Sequence, residues 1–291
     1  MTAKIINGKR KAHDIKEKLK PKIDFLYKRY QIQPCLAAIL VGQDPASEIY
    51  VRNKRNTAHE MGLKTEFIHL PSHTKEDELI KIIKELNQNA DIHGILVQLP
   101  LPKHIRSQVI LETISPLKDV DGFHPTNVGL LWTHPHQAVQ RGTLCCTPYG
   151  CLLLLKDELP SLQGKDVVII GCSQIVGKPM AALMLHEKAT VTLTHAQTRN
   201  LPEKCRTADI IVVAAGEPHL VKPDWLKPGV IIIDVGINRI EGKIIGDVDY
   251  DGAQKIAHAI TPVPGGVGPM TIACLIKNLV YATFYQNNIH V

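Results

Sequence analysis

Tyr50 and Lys54 lie four residues apart, so on a helix they share one face. An aromatic ring beside an amine can stack a planar substrate and carry its protons. Ordinary surface pairs use the same spacing, so the pair needs partners before it is a site. Gln98 closes the apolar run Gly94-Ile95-Leu96-Val97 and is followed by Leu99-Pro100-Leu101-Pro102. That is a polar group at the end of a buried strand, or simply a strand terminator. Lys118-Asp119-Val120-Asp121-Gly122 packs two carboxylates into one turn, where Asx-turn chemistry alone can account for them.

A different chemistry starts where the apolar run 166–170 enters Gly171-Cys172-Ser173-Gln174-Ile175-Val176-Gly177-Lys178-Pro179. A strand, a glycine turn and a helix start in that order can hold a pyrophosphate on backbone N–H groups and the helix dipole. Pro179 suits the first helical position. Ser173 stands where the usual dinucleotide fingerprint has its second glycine, so an ordinary tight turn stays open at this point. Gly216 and Gly236-Ile237-Asn238 end two further apolar runs. Turns at the carboxyl ends of strands are where open α/β sheets bind ligands.

The elements that must position these groups can be read from the apolar pattern. Ala12, Ile15, Leu19, Ile23 and Leu26 mark an amphipathic helix over 9–30. The run 35–41 is a buried strand. Asp44-Pro45 then supplies an N-cap and a first helical residue for a helix to about Met61, with Gly62 as its stop. A strand at 67–70, a helix at 76–86 and a strand at 94–99 continue the alternation. After Gly150, a helix over 151–158 leads to strands at 166–170, 190–194, 210–215 and 230–234. Their spacing of about twenty residues fits βαβ units of a doubly wound sheet. An amphipathic helix over 270–285 follows the loop Thr261-Pro262-Val263-Pro264-Gly265-Gly266-Val267-Gly268-Pro269. The domain junction falls near Thr147-Pro148-Tyr149-Gly150, where turn residues cluster.

Composition narrows the class. Hydrophobic residues make up 44% and charged residues 21%, which suits a packed core and excludes disorder. The formal charge of +6 is spread along the chain, with Lys9-Arg10-Lys11 as a short run. That distribution argues against a nucleic-acid partner and favours an anionic small substrate, such as a polyglutamate tail or a phosphate. Seven cysteines show neither Cys-x-x-Cys nor a His/Cys zinc spacing, so reduced cytoplasmic thiols and no metal site are expected. The amino terminus has no signal-like apolar run, and no stretch reads as a membrane span.

Taken together, these segments resemble the bifunctional methylenetetrahydrofolate dehydrogenase/methenyltetrahydrofolate cyclohydrolase family. The resemblance rests on 41–54, 94–102, 118–125, 146–150, 171–179, 234–238, 246–248 and 261–271, in family order and over nearly the whole chain. The run Thr-Pro-Val-Pro-Gly-Gly-Val-Gly-Pro-Met-Thr at 261–271 is its most specific part. The resemblance implies a two-domain α/β protein with a cleft between the domains. An N-terminal α/β catalytic domain would comprise 1–146, joined by the returning final helix 270–291. A Rossmann-like doubly wound domain would comprise 147–269. It also implies oxidation of 5,10-methylenetetrahydrofolate and hydrolysis of the product to 10-formyltetrahydrofolate, in one-carbon metabolism that feeds purine biosynthesis.

The resemblance assigns roles as well. Lys54 becomes the acid/base of hydrolysis, Tyr50 stacks on the aminobenzoyl ring, Gln98 tunes Lys54, and Asp121 holds the pterin. Leu99, Pro262, Pro264, Gly265 and Gly266 line the folate site. Thr147, Gly171, Cys172, Ser173, Val176, His195, Arg199, Ala215, Gly216 and Ile237 contact a nicotinamide cofactor. A homodimer through the cofactor domains is implied, with folates, polyglutamated ones included, as partners and no membrane or nucleic acid.

The chemistry is consistent with these groups. A methylene bridge between two folate nitrogens opens toward an iminium ion, so hydride loss needs orientation more than a base. Hydrolysis of the methenyl cation needs a proton taken from water and a proton delivered to nitrogen. One amine does both once burial and neighbouring cations draw its pKa toward neutrality; Arg52 and Arg55 are near Lys54 in sequence. A carboxylate such as Asp121 pairs with the donor-rich edge of a pterin.

The second strand of the nucleotide domain ends Thr194-His195-Ala196-Gln197-Thr198-Arg199, with no carboxylate for a ribose. This favours NADP, and Arg199, Thr194 or Thr198 are available to its 2′-phosphate. NAD stays open because Cys172 and Ala196 depart from the family's phosphate-binding pattern. Asn56 and Thr57 also depart from the pattern; Asn56, two residues from Lys54, lies on another helix face. Cys145 replaces a common proline and is expected to loosen its segment. The rivals are an amino-acid or shikimate-type dehydrogenase, a non-catalytic dinucleotide-binding module and a dehydrogenase without hydrolase activity. The set Tyr50, Lys54, Gln98 and Asp121 speaks against all three.

Overall fold

The computed structural model describes residues 2–290, apart from the side chain of Ala46. They form two compact units, one of 14–146 with 275–290 and one of 2–13 with 147–274.

The first unit is built on a parallel three-stranded sheet in the order Lys64–Leu70, Cys35–Val41, Gly94–Val97. A parallel sheet is covered on both faces, so its central strand must be apolar throughout. All seven residues of Cys35–Val41 are buried. The edge strand Lys64–Leu70 is only half-buried, which is why its polar first half carries no strand signal in the sequence. Asp44 caps the Pro45–Glu60 helix by accepting from the Ser47 N–H at 2.8 Å. Gly62, at φ +72°, turns the chain into the next strand.

The second unit holds a six-stranded parallel sheet. Its order is Lys4–Ile5, Ala259–Ile260, Ile231–Asp234, Ile210–Val213, Asp166–Ile170, Thr190–Thr194. From Asp166–Ile170 the chain steps to one side to form Thr190–Thr194, then crosses to the other side for Ile210–Val213. The switch therefore lies between Asp166–Ile170 and Ile210–Val213, the place where doubly wound sheets open a crevice.

Several elements differ from the sequence reading. Residues 2–13 group with the second unit, because Lys4 and Ile5 pair with Ala259 and Ile260 at the sheet edge. The chain returns to the first unit at Leu275, inside the last helix, not at 270. The segment read as the domain junction does begin the second unit at Thr147, but it forms the first turn of the helix Cys146–Glu158 and not a loop turn. Pro148 sits where a helix needs no N–H, and Gly150 is required because a Cβ there would lie 2.8 Å from Met270 Cβ. Pro179 is the third residue of the Gly177–His186 helix, not its first. The final helix, Val267–Gln286, is not amphipathic but largely buried. It is long and apolar enough to span a membrane by length and composition, yet 67% of that stretch is buried inside the fold, as in a core helix.

Candidate active site

Within the first unit, the Pro45–Glu60 helix carries Lys54 to Gln98, at the carboxyl end of Gly94–Val97. Lys54 is only 8% exposed, which is rare for a lysine, while its neighbour Asn56 points to solvent. Gln98 extends the strand, its N–H bonding the Ile39 carbonyl at 2.9 Å. Its side-chain Nε2 donates to the Leu99 carbonyl at 2.7 Å, which turns Oε1 to accept from Lys54 Nζ at 3.3 Å. Tyr50 and Leu99 are half-buried. Arg55 lays its guanidinium over the Phe67 ring, 4.5 Å from the centroid, and Arg52 is exposed. The Lys54 charge is felt at Asp121.

The two carboxylates of the 118–122 turn have separate duties. Asp119, 2% exposed, accepts from the N–H groups of Gly122 and His124 and from Asn127 Nδ2, at 2.8–3.0 Å. It is the turn's own residue. Asp121 takes no part in that turn. Burial pushes its carboxyl above the ordinary range, and the Lys54 ammonium and the Cys146 thiol pull the other way. The turn is clamped from outside by Asn278, whose Nδ2 donates to the carbonyls of Val120 and Leu144 at 2.8 and 2.7 Å. Gly122 is needed there, since a Cβ would lie 2.5 Å from Cys145 N. Cys145 is buried and its thiol donates to the Gly122 carbonyl at 2.9 Å. It therefore ties the segment that its replacement of proline was expected to loosen.

In the second unit, the glycine turn sits at the topological switch. Gly171 has φ +106°, and a Cβ on it would lie 2.1 Å from the Ala214 carbonyl oxygen. A Cβ on Gly177 would lie 1.8 Å from the Gly171 oxygen. The glycines that matter are thus 171 and 177, and Ser173 closes the turn between them. Its hydroxyl accepts from the Val176 N–H at 3.1 Å, and its carbonyl accepts from the Lys178 N–H at 3.1 Å. Cys172 and Val176 are half-buried beside it.

His195, Ala196 and Arg199 are exposed after the second strand. The turn is held by the His195 N–H donating to Thr198 Oγ1 at 2.9 Å and the Thr198 N–H donating to the His195 carbonyl at 2.9 Å. Thr194 is fully buried and donates to the Ile169 carbonyl at 3.0 Å. It is committed to the sheet and is not available to a phosphate, contrary to the sequence expectation. Ala215 and Gly216 are exposed, but both N–H groups bond Asp247. Ile237 is 46% exposed. The Thr147 and Thr271 hydroxyls share a hydrogen bond of 2.9 Å.

The Pro262–Gly266 loop closes through the Gly266 N–H on the Pro262 carbonyl at 2.9 Å, with Gly265 at φ +110°. Gly8 lies against it, as a Cβ there would be 1.7 Å from the Gly266 oxygen. The structure therefore brings Lys54, Gln98 and Asp121 together in one unit. The turns bearing Gly171–Val176, His195–Arg199, Ala215–Gly216 and Ile237, and the 262–266 loop, belong to the other. Sequence reasoning missed Asn278, Asp234 and Asp247. Asp234 and Asp247 fall in segments that carry the family resemblance, which was the available signal.

A family model described as the catalytic domain of tetrahydrofolate dehydrogenase/cyclohydrolase matches residues 6–121, and one described as its NAD(P)-binding domain matches 145–287. The bifunctional protein FolD of Ehrlichia canis (strain Jake) is 53% identical, over 99% of this chain and 97% of its own. The crystal structure of the bifunctional FolD methylenetetrahydrofolate dehydrogenase/cyclohydrolase from Campylobacter jejuni superposes with a TM-score of 0.92 at 49% identity, covering 98% of this chain and 99% of that one. The FolD of Trypanosoma brucei, complexed with NADP cofactor and inhibitor, gives 0.93 at 36% identity, with 99% of each chain covered. Matched by both domain models and by relatives half identical from end to end, the chain belongs to the tetrahydrofolate dehydrogenase/cyclohydrolase family.

Proposed function

We propose that this chain oxidises 5,10-methylenetetrahydrofolate to the methenyl compound with NADP and hydrolyses that product to 10-formyltetrahydrofolate, with Lys54 as the proton carrier of hydrolysis. The observation that carries the reading is the buried Lys54 amine, held at 3.3 Å by Gln98 and acting electrostatically on Asp121. Asp121 binds the pterin edge, Tyr50 stacks on the aminobenzoyl ring, and Leu99, Pro262, Pro264, Gly265 and Gly266 line the substrate. Gln98 presents only its carbonyl to Lys54, so it fixes the amine without donating a proton to it. The lysine then exchanges protons with the attacking water and with the departing folate nitrogen, a role worth about 10²–10⁴-fold in rate for a well-placed acid/base.

The second unit fits a nicotinamide dinucleotide. Gly171 and Gly177 leave a cradle in which a Cβ cannot stand, and the Gly177–His186 helix points its amino end there. When bound, the cofactor supplies the hydride acceptor. Gly171, Cys172, Ser173 and Val176 hold the pyrophosphate side; His195 and Arg199 face the adenosine ribose; Thr147, Ala215, Gly216 and Ile237 complete the site. The exposed Arg199, in a turn without a carboxylate, supports NADP over NAD, with a preference softened by Cys172 and Ala196.

The net charge of +6 suits polyglutamated folates. Ile240 and Ile244, exposed on the antiparallel Asn238–Ile240 and Lys243–Ile245 ribbon, support a homodimer through the cofactor domains. Six of the seven cysteines are buried thiols outside any disulfide, which supports a reducing, cytoplasmic setting. An absorbance assay with methylenetetrahydrofolate and each nicotinamide cofactor, followed by hydrolysis of added methenyltetrahydrofolate, tests the reading. Both reactions are expected, faster with NADP than with NAD. Absence of methenyl formation with either cofactor overturns it.

A further inference from the structure

Asp234 and Asp247 are 2% and 0% exposed, and neither belongs to the lysine site. Asp247 Oδ2 accepts from the N–H groups of Ala215 and Gly216 at 2.7 and 2.8 Å, and its Oδ1 accepts from Asn238 Nδ2 at 2.8 Å. Asp234 in turn holds the backbone of Asp247. Its Oδ1 accepts from the N–H groups of Gly236 and Asp247 at 2.9 and 3.0 Å, and its Oδ2 accepts from the Val248 N–H at 3.0 Å. The space is made by glycines. A Cβ on Gly236 would lie 2.2 Å from Asp247 Oδ1, and one on Gly246 would lie 1.9 Å from Asp234 Oδ2. Two turns at the carboxyl ends of neighbouring strands, 215–216 and 236–238, are thereby fixed to one carboxylate.

A buried charge is retained at a cost, and here each Asp247 oxygen is spent on chain ends at the sheet's ligand-binding edge. We infer that Asp247 is a positioning residue for the nicotinamide cofactor: it holds the Ala215–Gly216 turn and, through Asn238, the exposed Ile237 in the geometry that the cofactor meets. This rests on the cofactor reading above. It also explains how Ala215 and Gly216 serve the site. With their N–H groups occupied, they offer a ligand their carbonyl groups and a surface of fixed shape.

Asp247→Asn is isosteric but has one acceptor oxygen and places an NH₂ where a second acceptor is needed. Either Asn238 or the 215–216 pair must lose its partner. The test measures NADP binding by titration, NADP KM and kcat in the dehydrogenase reaction, and hydrolysis of methenyltetrahydrofolate, which uses no nicotinamide. The expected result is a rise of about tenfold or more in NADP Kd and KM, the scale of one charge-assisted hydrogen bond, with hydrolysis kept. Asn238→Ala, which removes one donor and leaves the carboxylate in place, is expected to raise NADP KM by a smaller factor in the same direction. An NADP Kd unchanged in both variants overturns the inference. So does a parallel loss of both activities in Asn238→Ala, which would make the network a general structural tie. A wild-type protein that binds neither NADP nor NAD overturns the cofactor reading itself, and this inference with it.

Discussion

Gly177→Ala is predicted to damage the dehydrogenase reaction and spare the hydrolase reaction. The new methyl group would lie 1.8 Å from the Gly171 oxygen, 2.7 Å from its carbonyl carbon and 2.9 Å from Cys172 Cα. All three are backbone atoms, so no side chain can swing aside. Ordinary carbon–oxygen contact lies about 1.6 Å farther out, and the helix start must separate from the turn by that amount. Gly171 cannot yield toward the sheet, because a Cβ there would already be 2.1 Å from the Ala214 oxygen. Overpacking of this kind costs about 1–3 kcal/mol. A displacement of about 1.6 Å also removes the turn and helix N–H groups from the narrow range of a hydrogen bond to phosphate. Losing one or two charge-assisted bonds raises the NADP KM by about ten- to several hundredfold. Steady-state rates against NADP, hydrolysis of methenyltetrahydrofolate and a thermal melt on the same preparation check this. An NADP KM within threefold of wild type, in a protein with an unchanged melt, refutes the packing argument.

Arg199→Ala is expected to lower the ratio of NADP to NAD efficiency by about tenfold, one exposed charge-assisted phosphate contact; an unchanged ratio in steady-state kinetics removes Arg199 from the pocket. Burial pushes the Asp234 pKa from 3.8 up to about 6, against the three N–H donors that favour its ionised form. A carboxyl that holds its proton more tightly folded than unfolded stabilises the fold fully below about pH 4. That contribution fades as pH rises through 6, by about 3 kcal/mol in all. Denaturant unfolding of wild type and Asp234→Asn should therefore show the wild type losing ground by about that amount between pH 4 and 7. A difference independent of pH would mean that the N–H donors keep the carboxylate ionised throughout.

The parallel strands were legible because burial on both faces leaves an unbroken apolar run, as in Cys35–Val41 and Ile210–Val213. Asp44-Pro45 was legible because capping is local. Lys4–Ile5 was not: both residues are exposed, and only the pairing with Ala259 and Ile260 makes them a strand. Thr147-Pro148-Tyr149-Gly150 read as a turn because Gly150 answers a packing need, against Met270, that has no local trace. Lys54 and Gln98 could be placed by their elements, but Asp119 and Asp121 could not be told apart. Their division depends on donors from Gly122, His124 and Asn127. Asn278 pins that turn from 158 residues away, a contact that no spacing announces. Ser173 looked like a defect in a glycine fingerprint, whereas the close approaches fall on Gly171 and Gly177.

The most direct test is the rate of methenyltetrahydrofolate hydrolysis by Lys54→Met, which keeps an unbranched apolar side chain, one atom shorter, while removing the amine. A folded protein that has lost hydrolysis by about 10²-fold or more, the scale of a lost acid/base, is the expected result. Hydrolysis at the wild-type rate would contradict it.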